Sequence, residues 1–196
     1  MLRKFKSVLF VVILIFCCQT LAMEKMTKFE FLNGIPDAEK TTHPAFAKVL
    51  LGISSPITYK AEVAKDTDYI VIIGAADSYW AEPGKRIMQA DIEGAQTVTF
   101  DPTAEVGKNN PMLLIIEAKD TNGDNWLDIN IKIAPNSPDQ NPNISAVWVF
   151  EKKIWQENNL TKETILSGQA DNKALYFVNC GTENSELIKL SDKANL

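Results

Sequence analysis

The stretch from Tyr69 to Gly94, YIVIIGAADSYWAEPGKRIMQADIEG, decides the fold. Its opening run, Tyr69-Ile70-Val71-Ile72-Ile73, has no polar face, the pattern of a strand covered on both sides. A loop follows in which Tyr79-Trp80 sits beside Asp77, Ser78 and Glu82, and Pro83-Gly84 turns the chain at the domain's edge. Lys85-Arg86 then opens a second strand, Ile87 to Ile92, closed by Glu93-Gly94.

Working outward, Ile57, Tyr59, Ala61 and Val63 alternate with Thr58, Lys60 and Glu62, which predicts a half-buried strand. Lys28 to Phe31 alternates as well and ends at the turn former Asn33-Gly34. Residues 35–56 carry Pro36, Asp37, Pro44 and Pro56 and read as loop, with Ala45 to Leu50 open between a helical turn and a strand. Downstream, strands are expected at Thr97 to Phe100, Met112 to Ile116, Leu127 to Ile133, Ile144 to Phe150 and Ala174 to Val178. Asp101-Pro102, Gly107 to Pro111 and Pro135 to Asn143 separate them. Thr161 to Leu166, stopped by Gly168, has the signals of a short helix, and Lys152-Lys153 reads as a solvated strand end. Short strands at these intervals predict an all-β jelly-roll sandwich.

The first 22 residues stand outside that core. Arg3, Lys4 and Lys6 precede the apolar run Val8 to Phe16, and Thr20-Leu21-Ala22 offers a small-residue cleavage site, the order of a secretory signal. A run this short does not span a bilayer, which takes about 20 residues. Phe16 and Cys17 are poor neighbours for a lipidated cysteine. The expected organisation is a signal at 1–22, one domain at 23–182 and a polar, loosely held tail at 183–196. Loss of Arg3, Lys4 and Lys6 takes the formal charge from −5 to −8, which argues against nucleic acid or anionic lipid as partner. It also leaves Cys180 as the sole cysteine, so the core holds without a disulfide. His43 is the only histidine, which excludes histidine-rich zinc sites.

The segment Ala76-Asp77-Ser78-Tyr79-Trp80, with Lys85-Arg86 and a strand ending in Gly94, resembles the central motif of the malectin family. There an apolar strand ends in Ala-Glu-x-Tyr-Phe and leads on to Asp-Val-x-x-Asn-Gly. Asn141-Pro142-Asn143-Ile144-Ser145-Ala146-Val147-Trp148 is similar to the family's Asp-Asn-Pro-x-x-x-Ala-Leu segment. The resemblance covers roughly residues 57–152 and implies a non-catalytic, carbohydrate-binding jelly roll. It hands the family's sugar-contacting aromatic pair to Tyr79 and Trp80. The family's ligand-binding Asp falls on Gln140, with Asp139 one place earlier, and Glu93 stands in for the Asn of Asn-Gly. The family's opening Asn/Asp-Cys-Gly strand has its counterpart at Asn179-Cys180-Gly181 instead of near residue 30. The candidate ligand-binding residues are thus Asp77, Tyr79, Trp80, Arg86, Asp139, Gln140 and Asn141. Aromatic faces stack on sugar C–H surfaces while carboxylates and amides accept hydroxyl protons.

A second pattern runs from Asp120 to Asp128. Asp120, Asn122, Asp124 and Asp128, with the carbonyl of Trp126, match positions 1, 3, 5, 9 and 7 of an EF-hand-type calcium loop. Asn125 takes the place of the turn glycine, and position 12, ordinarily Glu, is Ile131. The competing reading is a plain Asp/Asn/Gly hairpin turn between the strands at 112–118 and 127–133. Three functions follow: a carbohydrate-binding protein, a calcium-stabilised adhesion module that binds a protein partner through the same edge, and a glycan-active enzyme using Asp77 and Glu82.

Overall fold

The computed structural model describes residues 28–182 and 188–189. The expected signal segment and the tail, apart from Ile188–Lys189, lie outside them. The chain runs β1 (Lys28–Asn33), α1 (Ala38–Thr41), a 3-10 turn at Pro44–Ala47, β2 (Lys48–Ile53), β3 (Ile57–Glu62), β4 (Asp68–Ala75), β5 (Met88–Ile92) and β6 (Val98–Phe100). It continues with α2 (Pro102–Val106), β7 (Met112–Lys119), β8 (Trp126–Ile133), β9 (Asn143–Ile144), β10 (Ala146–Glu151), α3 (Lys152–Glu157) and α4 (Lys162–Leu166). A 3-10 turn at Asp171–Lys173, β11 (Tyr176–Asn179) and β12 (Ile188–Lys189) complete it. All pairings are antiparallel, in sheets ordered β12-β11-β10-β4-β7, β3-β8-β5-β6 and β1-β2-β9.

The five- and four-stranded sheets face each other. Tyr69, Val71 and Ile73 of β4 and Val147 and Val149 of β10 meet Ile57, Ala61, Ala90, Leu127 and Ile129 of the opposite sheet. The other face of the five-stranded sheet is covered too. Ile70, Ile72, Trp148 and Phe150 pack under Ala38, Phe46, Ile165 and Ala170 from α1, α4 and the 3-10 segments. That second layer is why β4 is apolar at every position from Tyr69 to Ile73. Gly74 lies where any Cβ would press on Trp148 and Phe46, at 2.9 and 3.1 Å.

Residues 35–56 correct the loop expectation. The ambiguous segment divides: Pro44–Ala47 is a 3-10 turn, and Lys48–Ile53 is a strand paired to β1 on one side and β9 on the other. The segment expected as one strand at Ile144 to Phe150 switches sheets at Ser145, whose N–H donates to Gly74 O at 2.8 Å and whose carbonyl accepts from Cys180 N–H. Lys152-Lys153 begins a helix rather than ending a strand. The helix after Thr161 forms as expected, with a Thr161–Thr164 capping box.

His43, buried at 4 % exposure, pins the helical layer to the sheet. Its Nδ1 accepts from Ala45 N–H at 3.1 Å, so Nε2 carries the proton and donates to Asp171 Oδ2 at 2.8 Å. Trp148 Nε1 donates to the other oxygen of Asp171 at 2.9 Å. Asp171→Ala strands both donors and is expected to cost about 2–4 kcal/mol, at the sum of two orphaned buried groups. Urea unfolding of the variant against wild type checks it; a loss below about 0.5 kcal/mol would mean the link carries no weight.

Candidate functional site

The loop between β4 and β5 crosses from one sheet to the other at one end of the sandwich, and the segment from Ser137 to Asn143 lies beside it. Two backbone ties hold them together: Asp139 N–H donates to Lys85 O at 2.9 Å, and Ile87 N–H to Ser137 Oγ at 2.9 Å. At the centre is Arg86, 5 % exposed. Its Nη1 donates to Asp77 Oδ2 at 2.5 Å and its Nη2 to Asp139 Oδ2 at 2.7 Å. Asp77 Oδ1 accepts from Tyr79 N–H and Trp80 N–H, both at 2.9 Å, fixing the aromatic turn. Asp139 Oδ2 also accepts from Trp80 Nε1 at 2.8 Å, and its Oδ1 accepts from Asn141 N–H and Nδ2.

These residues line a cleft of about 660 Å³. Asp77, Tyr79, Trp80, Arg86, Asp139, Gln140 and Asn141, far apart in sequence, all border it. Tyr79 is 72 % exposed and meets Trp80 edge-on at 4.8 Å and 87°. Lys85 Nζ stands 5.8 Å over the Trp80 ring. Sequence reasoning missed the floor, Leu32 of β1 and Val49 and Leu51 of β2, together with Ser78 and Asn143. The i, i+2 spacing of Val49 and Leu51 was the available signal, hidden by the neighbouring prolines. Asp77 was expected to accept ligand hydroxyls; it lies wholly buried beneath the cleft with three donors already on it. Glu82, its supposed catalytic partner, is exposed and does not line the cleft.

Of the expected calcium set, Asp120 and Asp124 come together and Asp128 does not. Residues 120–125 connect β7, at the edge of one sheet, to β8 in the other, so the turn is not a hairpin either. Asp128 lies within β8 and pairs across the sheet with Lys60, Nζ to Oδ1 at 2.9 Å, and Trp126 starts the strand opposite Glu62. The acids that do gather are Glu93, Asp120 and Asp124. Their oxygens face backbone donors: Asp120 accepts from Gly123 and Asn125, Asp124 from Trp126, Asn122 from Asp124, and Glu93 from Thr121 and Asn122. Gly94, at φ +74°, follows Glu93 and lets the chain pass close to Lys119, where a Cβ would sit 2.4 Å from Lys119 O. These oxygens cap the turn from within, and Asp128, expected at position 9, stands outside the group. The turn sits at the Asp68 end of β4, opposite the cleft at its Ala75 end.

No family model matches the sequence, and no curated protein does. Solved structures do. The ANXUR2 extracellular domain from Arabidopsis thaliana is similar at a TM-score of 0.51 and 15% identity, over 62% of this chain and 38% of that one. The plant receptor-like kinase ANX2 is similar at 0.51 and 13% over the same shares, and the ANX1 ectodomain from Arabidopsis thaliana at 0.50 and 10%, over 61% and 38%. The fold is malectin-like. At these identities the likeness is one of architecture, and this chain spans 38% of each of those structures. Among the described residues no helix is long and apolar enough to cross a membrane.

Three outcomes follow. Arg86→Ala leaves two buried carboxylates facing each other and is expected to cost about 3–5 kcal/mol in urea unfolding, against a surface-like loss if the cluster is solvated. Burial raises the Asp139 carboxyl, but hydrogen bonding from Trp80 and the Arg86 charge outweigh it and hold it below its ordinary value. A depressed folded pKa contributes stability above the unfolded value, about 3.9, and loses it as pH falls through the folded one. Acid unfolding of Asp139→Asn should therefore show a shallower pH dependence below about pH 4 than wild type. Asp120→Ala is expected to lose about 1–2 kcal/mol equally in chelator and in millimolar calcium, and a loss confined to calcium would restore the metal reading.

Proposed function

We propose that the protein is an exported, non-catalytic recognition module that binds a protein partner at the Tyr79–Trp80 cleft. The partner's apolar side chain enters between the aromatic pair and the aliphatic floor of Leu32, Val49 and Leu51. One observation carries this: the carboxylates that would take sugar hydroxyls are already committed inside the protein. Asp139 accepts four hydrogen bonds, its full capacity, and buried Asp77 accepts three. What remains open to a ligand is largely hydrocarbon and ring surface, the composition of a side-chain pocket at a protein interface. Export rests on the charged start, the apolar run and the Thr-Leu-Ala site.

Carbohydrate is the second reading, favoured by the exposed Tyr79 ring and by the Gln140 amide on the same cleft, whose Nε2 donates to Ser137 O. A displayed peptide library and a glycan array, each probed with wild type and Tyr79→Ala, separate the two. Tyr79→Ala should leave stability within about 0.5 kcal/mol, since the ring is solvated. The expected result is wild-type peptide hits sharing an apolar anchor and weakened about tenfold or more in the variant, the scale of burying one large side chain. Glycan hits that depend on Tyr79, without peptide hits, would install the sugar reading. Hits indifferent to Tyr79 would move the site off the cleft.

A further inference from the structure

Three buried side-chain polar atoms with no partner among the described residues belong to the cleft lining: Arg86 Nε, Asn143 Oδ1 and Ser78 Oγ. Asn143 is 2 % exposed and its orientation is set, because Nδ2 donates to Ala76 O at 3.2 Å. Its Oδ1 is therefore an unfilled acceptor. Arg86 is 5 % exposed, with both terminal nitrogens on carboxylates, so Nε–H is an unfilled donor. Buried groups left unpaired are costly, and folds retain them where something else completes them.

Charge narrows what can do so. Two carboxylates share one guanidinium, and the Lys85 ammonium over the Trp80 ring balances the charge that remains, so the recess has no net charge to draw an anion. Lys85 over the Trp80 ring already holds the place a ligand cation would take. A neutral group that both accepts and donates fits. We propose that the cleft binds a stretch of the partner's backbone beside its apolar anchor, a carbonyl accepting from Arg86 Nε and an N–H donating to Asn143 Oδ1, with Ser78 on the same lining. This rests on the protein-partner reading and names the chemistry the cleft selects. All three atoms are shielded from solvent in the free protein, so a side-chain shift at the cleft wall accompanies binding.

Three small probes share one 3-methylbutyl tail: N-methyl-4-methylpentanamide, methyl 4-methylpentanoate and 4-methylpentanoate. Each is titrated into the ¹⁵N-labelled full chain while the Trp80 Hε1 and Asn143 side-chain amide signals are followed. The amide is expected to move both signals at a concentration at least tenfold lower than the ester or the carboxylate. In Asn143→Leu the preference for amide over ester should fall to near one; should that variant not fold, the wild-type series decides alone. Equal effects of amide and ester in wild type would overturn the peptide-group inference and leave the apolar pocket standing. Silence from all three, with maltose moving the same signals, would overturn the protein-partner reading itself.

Discussion

The site depends on one guanidinium. Arg86 draws Asp77, at the end of β4, and Asp139, on a segment more than fifty residues later, to a single buried point. A buried ion group is a weak source of net stability, because desolvation offsets much of the Coulomb attraction. Its worth here is geometric. A planar fork with both terminal nitrogens occupied fixes the distance between two loops, and each carboxylate then uses its remaining lone pairs to hold the aromatic turn and the Asn141 turn. The backbone of both loops is thus set before any ligand arrives, which lowers the ordering cost of binding.

That guanidinium can act only because the sandwich delivers its partners to one end. β4 leaves the five-stranded sheet and β5 enters the four-stranded one, so their connecting loop spans the mouth between the sheets. The chain returns to the same mouth before β9, pairs briefly with β2, and changes sheets at Ser145. β2 therefore contributes floor to the cleft as well as a partner for β1. The helical layer under Ile72 and Trp148 keeps the central strands dry on both faces, which keeps the end of β4, and with it Asp77, in place.

Much of this was legible in the chain. Tyr69 to Ile73 announced a doubly covered strand, the Ile57–Val63 alternation a half-covered one, and the aromatic loop together with the malectin resemblance put seven residues on what proves to be one cleft. What failed did so for physical reasons. Prolines at 44 and 56 masked β2, a strand whose apolar content makes sense only against β1 and β9. Spacing alone proposed a calcium loop, yet strand register turned Asp128 toward Lys60, and Glu93, from another strand end, took its place beside Asp120. Nothing local indicated that Asp77 and Asp139 would be fully engaged by Arg86, because that needs the two loops to be neighbours in space.

The claim that the aromatic turn is preorganised by this cluster is tested most directly by backbone hydrogen exchange at Tyr79 and Trp80 in the ligand-free protein. Both amides donate to Asp77 Oδ1 in a loop, where exchange is ordinarily fast. The account requires protection approaching that of the β4 amides, because opening the turn means breaking the buried ion group. Exchange at the rate of an unstructured loop would contradict it, and the cleft would then form only around its ligand.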